Sequence, residues 1–250
     1  MTDQDGWYGS ASSTTYTFNC DIDKPSGSLE RMKELGYHLY GFKAVGTATG
    51  GGTPLLWFDI PPEDLGWENE ISWTVDYKAY MSTTTIKNGA KIVTMSPLEV
   101  DLGDEYCILN SSMPEVRRNK APKTQIRLKN EYEGREYACG ISQSMNGGPA
   151  SPICALPVAG KGAASVQPIE KLVVLVATST NQTATAYTRS YASGAWIDLT
   201  GADKNQRDLV YKLNYGFQIP STARWAEEVE EGDNLLPILM PGAPASDYEE

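Results

Sequence analysis

Between Ile71 and Tyr80 the chain reads ISWTVDYKAY, with Ile71, Trp73, Val75, Tyr77 and Ala79 on one side and Ser72, Thr74, Asp76, Lys78 and Tyr80 on the other. That period of two marks a strand with one buried face. Gln125 to Asn130 alternates in the same way, as does Asp208 to Tyr215 with Leu209, Tyr211, Leu213 and Tyr215 on one face. Leu172 to Ala177 is apolar without a break, the pattern of a strand covered on both sides. Asn88-Gly89 lies between the β-prone runs Thr83 to Ile86 and Lys91 to Met95, and predicts a tight hairpin because both residues tolerate positive φ.

Helix signals are sparse. Ser28 is placed to cap a helix from Leu29 to Leu35, closed by Gly36, and Ser221 to Glu231 reads as a second, with Trp225 and Val229 four apart. Neither follows a strand–helix–strand rhythm, so the expected fold is mainly β: an antiparallel β-sandwich with one or two short peripheral helices and an irregular acidic C-terminal tail. One sandwich domain over residues 1–226 is expected, then a tail over 227–250. The alternative is two β subdomains, about 14–112 and 123–220, separated by the basic segment Met113 to Lys123.

Composition narrows the function. In 250 residues, 40% are hydrophobic and 21% charged, an ordinary globular balance. The net charge of -11 is concentrated after Arg224, where the chain carries eight acids and no Lys or Arg. The nearly neutral remainder has no electrostatic attraction for phosphate backbones, which excludes nucleic acid as the expected partner. No apolar run reaches the length of a transmembrane helix, and Met1 to Ser13 lacks the pattern of a secretory leader. A cytoplasmic location, or release by a non-classical route, is therefore expected, with Cys20, Cys107, Cys139 and Cys154 as reduced, buried thiols.

Catalytic motifs are thin. His38 is the one histidine, so two-His metal sites are excluded and any triad has a single base. Its setting in Tyr37-His38-Leu39-Tyr40 reads as a satisfied strand residue. Gly46 to Pro54 lacks the Lys and Ser/Thr of a phosphate loop and reads as a flexible hairpin or Ω loop. No cofactor is implied.

Aromatic usage is the positive signal: 14 Tyr and 6 Trp against 4 Phe. Rings with a polar handle are favoured where one end is dry and the other wet. The segment Trp57 to Asn69 combines such rings with acids and an amide, and Trp57, Asp59, Glu63, Asp64, Trp67, Glu68 and Asn69 are the candidate ligand-binding residues, with Trp67 as an exposed stacking platform. The expected function is non-enzymatic, lectin-like recognition of a glycan or glycoconjugate. The general profile resembles that of fruit-body-type lectins and the pore formers related to them by fold, without a motif that matches residue by residue. Three alternatives follow from other features. The Ser/Thr-rich stretch Ala177 to Ala195 reads as an edge hairpin but also suits a membrane-active β protein, and self-assembly into a homo-oligomer suits a structural protein. The clustered carboxylates suit a glycoside hydrolase.

Overall fold

The computed structural model describes residues 14–24, 27–48, 51–110 and 113–242. Residues 1–13, 25–26, 49–50, 111–112 and 243–250 lie outside this set, and with them part of the Gly-rich stretch 46–54 and the last residues of the expected tail. In chain order the described elements open with β1 (Thr15–Ile22), α1 (Ser28–Leu35), β2 (His38–Thr47), β3 (Thr53–Pro54), β4 (Leu56–Ile60), β5 (Glu68–Thr74) and β6 (Tyr77–Ser82). There follow β7 (Met95–Val100), β8 (Glu105–Ile108), β9 (Pro114–Arg117), β10 (Ile126–Asn130), β11 (Tyr137–Gln143), β12 (Ser151–Pro152) and β13 (Cys154–Val158). The last are β14 (Ala163–Ala177), β15 (Gly194–Asp198), β16 (Gln206–Lys212), β17 (Gly216–Gln218), β18 (Ala226–Val229) and α2 (Leu236–Leu239).

The fold is a mainly-β sandwich of three sheets. One runs β17-β16-β1-β5; a second runs β18-β15-β14-β10-β8-β9, with β2 on the free side of β14 and β4 beyond it; the third runs β3-β13-β11-β6-β7, with β12 on β11. Pairing is antiparallel except at β1–β16 and β8–β10, which are parallel. Every sheet takes strands from both sides of the basic segment 113–123, so the two halves of the chain are interleaved.

The 15-residue β14 is the spine. Its unbroken apolar run is divided by the pleat: Leu172, Val174 and Val176 enter the main core between the sheets, whereas Val173, Leu175 and Ala177 enter a second core on the outer face. Tyr40, Phe42, Leu235 and Leu239 complete that outer core, with α2 and the segment 187–192 as its cover.

Several local expectations change. The alternating run 71–80 is one pattern but two strands, because the chain leaves the first sheet after Thr74 and enters the third at Tyr77. Asn88-Gly89 does form a turn, with φ of 76° at Gly89, but not between paired strands. Its backbone bonds go to 184–188 instead, through Gly89 N–H to Ala186 O at 2.8 Å and Ile92 N–H to Ala184 O at 2.9 Å. Those same bonds make Ala177 to Ala195 an irregular cover in place of an edge hairpin.

Ser221 to Glu231 is a turn followed by β18, which pairs antiparallel with β15. Residues four apart share a face in a strand as well as in a helix, so the Trp225/Val229 spacing did not discriminate. The three-residue spacing does: Ala226 packs into the main core and Val229 into the outer one, on opposite faces. The acidic end of the chain is also less of a tail than its charge implies. Leu235, Leu239 and Met240 are buried, and Thr47 N–H donates to Pro241 O at 3.1 Å. Among the described residues, no helix is long and apolar enough to cross a membrane.

Candidate functional site

The segment Trp57 to Asn69 does not converge on one surface. Trp57 is inside, its Nε1–H donating to Gln143 O at 2.9 Å and its ring set edge-on to Phe58 and Trp73. Asn69 is also buried, and its amide pins the preceding turn by accepting from Gly66 N–H at 2.8 Å and donating to Cys20 O and Gly66 O at 2.9 Å each. Trp67 is half-buried against the main core, and its carbonyl accepts Ile22 N–H. Glu63, Asp64 and Glu68 are exposed, and Glu68 pairs with Lys24 at 3.1 Å. Asp59 faces His38, with Oδ1 to Nδ1 at 2.7 Å, and burial raises its pKa more than that bond lowers it.

The Tyr and Trp census has an internal explanation in several places. Tyr80 donates to Cys154 O at 2.7 Å, Tyr106 to Ser96 O at 2.9 Å, and Trp73 Nε1–H to Glu170 at 2.7 Å. Around Trp73 lies a dry charge pair: Lys43 Nζ, wholly buried, is 2.7 Å from Glu170, 3.0 Å from Ile169 O and 4.8 Å from the Trp73 ring centre. Burial lowers the Lys43 pKa, and Glu170 opposes the shift. A second polar-aromatic group surrounds His38, which stacks on Tyr40 at 5.2 Å; Tyr187 donates to Asn181 Oδ1 at 2.5 Å, and Asn181 N–H donates to Tyr40 OH at 3.1 Å. Tyr40 meets Tyr191, and Phe42 meets Tyr187, edge to face, as in a filled core.

An open concavity lies elsewhere, between β17 and β18. The chain reverses after β16 through Asn214 and Gly216, whose φ values of 71° and 72° suit Asn and Gly, and this turn throws Tyr215 outward. Tyr215 is 79% exposed, an unusual state for a large ring. Across from it, β18 ends the eight-stranded sheet. Two adjoining grooves of about 680 and 610 Å³ share Tyr215, Phe217 and Glu228 as lining; Gln218 and Ser221 border the first, and Tyr37 and Tyr211 the second.

The outer edge of β18 is exposed at Glu228. Asp198 N–H donates to Trp225 O at 2.7 Å, so 225, 227 and 229 form the hydrogen-bonded pairs with β15. The N–H and C=O groups of Ala226 and Glu228 therefore point away from the sheet and have no hydrogen-bond partner among the described residues; Ala226 is buried, Glu228 is exposed, and at Glu230 the edge is capped by Asp233, whose Oδ2 accepts Glu230 N–H at 2.8 Å and whose N–H donates to Glu230 O at 3.2 Å. Glu228, Glu230 and Glu231 line or flank the opening with no ion pair among the described residues, whereas the Glu227 carboxylate accepts from Trp196 Nε1–H at 3.3 Å. Sequence reasoning placed Tyr215 only as the end of an alternating strand. The usable signal was Asn214-Tyr215-Gly216, a ring held between two residues suited to positive φ.

Searches of family models, curated proteins and solved structures find no match to this chain.

Proposed function

We propose that this chain is a non-catalytic binding protein that seats an extended ligand in the groove between β17 and β18. The observation that carries this reading is the exposed ring of Tyr215 set across one open groove from the edge strand β18, where Glu228 is exposed. Shape-complementary grooves with an aromatic anchor are where binding energy concentrates. The state of the nucleophiles supports binding over chemistry. All four thiols are buried, and burial pushes Cys20, Cys139 and Cys154 up to about 12 and Cys107 up to about 11, far from a reactive thiolate. The pore-forming alternative finds less support, since Ala184, Thr185 and Ala186 are buried and tied to 54–56 and 90–92.

A glycan is the second reading, moved from Trp67 to Tyr215, where a sugar face would stack while Gln218, Ser221 and Glu228 take hydroxyls. Calorimetric titration of oligosaccharides and extended peptides into the wild type and Tyr215→Ala tests the site. A groove ligand should lose about 30-fold in affinity on Tyr215→Ala, the effect of a hot-spot ring. The melting temperature should hold, because the ring is mostly outside the core. Equal binding by both forms, or loss on Trp67→Ala alone, would overturn the assignment.

A further inference from the structure

We infer that the groove holds a linear aliphatic polyamine, a small molecule whose ammonium groups meet the carboxylates of one wall while its methylene chain lies on the rings of the other. This rests on the proposed groove and specifies its occupant.

One wall is aromatic. Tyr211 and Phe217 are cross-strand partners on β16 and β17, with ring centres 5.2 Å apart and set edge to face, and Tyr37, just after α1, lines the same groove. Tyr215 borders both grooves with its ring mostly in solvent. Tyr211 is the most informative of the four. It is only 9% exposed, yet its hydroxyl has no hydrogen-bond partner among the described residues. A buried phenol normally finds one, as Tyr80 and Tyr106 do. Burial, with Tyr37 close by, pushes the Tyr211 hydroxyl up to about 12, so it is neutral and able to accept a hydrogen bond from an ammonium group.

The opposite wall is anionic. Glu228 shares the inner face of β18 with Ala226 and borders both grooves, and Glu230 and Glu231 border the second. Glu227 is engaged on the other face, where its carboxylate accepts from Trp196 Nε1–H. Among the described residues neither groove is lined by Lys, Arg or His, and Arg189, which reaches the turn after β18, donates to Gly232 O. Rings and carboxylates together discriminate among ligand classes. An anion is repelled, and a neutral sugar stacks on Tyr215 but leaves the wall's charge uncompensated. A metal ion gains nothing from the rings, and no cluster of ligating side chains suited to one occurs among the described residues. An ammonium group is drawn to the carboxylates, attracted by ring faces within about 6 Å, and donates to the Tyr211 hydroxyl. Because the carboxylates are spread along two adjoining grooves, several ammonium groups joined by methylene spacers fit them better than one, and the spacers bury apolar surface on Phe217 and Ile219. Carboxylates that serve only as solvated surface are the opposing explanation, and it requires that binding depend on charge alone.

Calorimetric titration of spermidine into the full chain at physiological ionic strength tests this, with hexaamminecobalt(III), which carries the same triple charge and no methylene chain, as the comparison. Spermidine should fill one saturable site, and the cobalt complex should bind at least about tenfold more weakly. Tyr215→Ala should lose about 30-fold in spermidine affinity, as for a hot-spot ring. Glu228→Gln removes one carboxylate and should lose a few-fold. Tyr211→Phe removes only an unpaired hydroxyl, so it should also lose a few-fold while the melting temperature holds. Equal binding of the two cations, or spermidine affinity unchanged in all three variants, would reduce the contact to charge attraction by an acidic surface and overturn the inference. Absence of spermidine binding, alongside an oligosaccharide or extended peptide that binds in a Tyr215-dependent way, would overturn this inference but leave the groove. Absence of binding by all of them would overturn the groove as well.

Discussion

Removing the carboxylate of Glu170 should be among the most damaging single changes in the molecule. Lys43 is wholly buried, its partner Glu170 is only 15% exposed, and the pair is 2.7 Å apart. Glu170→Gln keeps an oxygen that can accept from Trp73 Nε1–H, so the substitution isolates the charge. A buried ammonium left without its counter-charge costs about 3–5 kcal/mol. For a chain of this size that corresponds to a fall of about 6–20 °C in melting temperature. The cost should depend on pH with a definite sign. The folded Lys43 pKa lies below 10.5, so between the two values the unfolded chain binds more protons than the folded one. Stability from this group therefore rises as pH rises towards 10.5, and the deficit of Glu170→Gln should shrink on the alkaline side. Lys43→Met with Glu170→Gln removes both charges and should recover most of the loss, because a buried pair is often worth little more than apolar packing. Urea unfolding of the wild type, both single variants and the double variant measures the coupling. Additive single effects, with an interaction of less than about 0.5 kcal/mol, would refute the dry pair.

Three further outcomes follow from the geometry. Trp57→Ala should cost about 3–5 kcal/mol in urea unfolding through the cavity it leaves, whereas Trp67→Ala, at a half-buried ring, should cost less. Asp104 is pushed up by burial but held below 3.8 on balance by Asp101 N–H, Asn119 N–H and Arg118. Its stabilising share is present above pH 3.8 and lost as pH falls through the folded value, so Asp104→Asn should flatten the acid limb of the stability profile. Asn146 caps the edge of β5, its Oδ1 accepting Ser72 N–H at 2.6 Å and its Nδ2–H donating to Glu70 O at 2.7 Å, so Asn146→Ala should raise concentration-dependent self-association, read by sedimentation velocity, without a large change in the circular dichroism spectrum.

Strand identity was legible wherever one face is buried, because side-chain period two reports burial directly. Leu172 to Ala177 shows this best, with alternate residues filling separate cores. What period two does not encode is the partner of each strand, so the crossing from β5 to β6 and the parallel β1–β16 pair were invisible. The C-terminal acids obscured a usable signal, since Leu235 to Met240 is an apolar run that covers the outer core. The candidate site was less legible. Tyr and Trp were read as wet rings, but hydrogen bonds such as Trp57 to Gln143 O satisfy their polar ends inside. The outward direction of the Glu228 backbone groups depends on register, which residue types do not specify.

Mapping of amide chemical shifts during titration with the best-binding extended peptide and the best-binding oligosaccharide tests the groove most directly. The expected result is a contiguous set of perturbed amides at Tyr215, Phe217, Ala226 and Glu228 through Glu231, with the Trp57 to Asn69 segment unmoved. Perturbation centred on 57–69, or scattered over the surface without saturation, would contradict it.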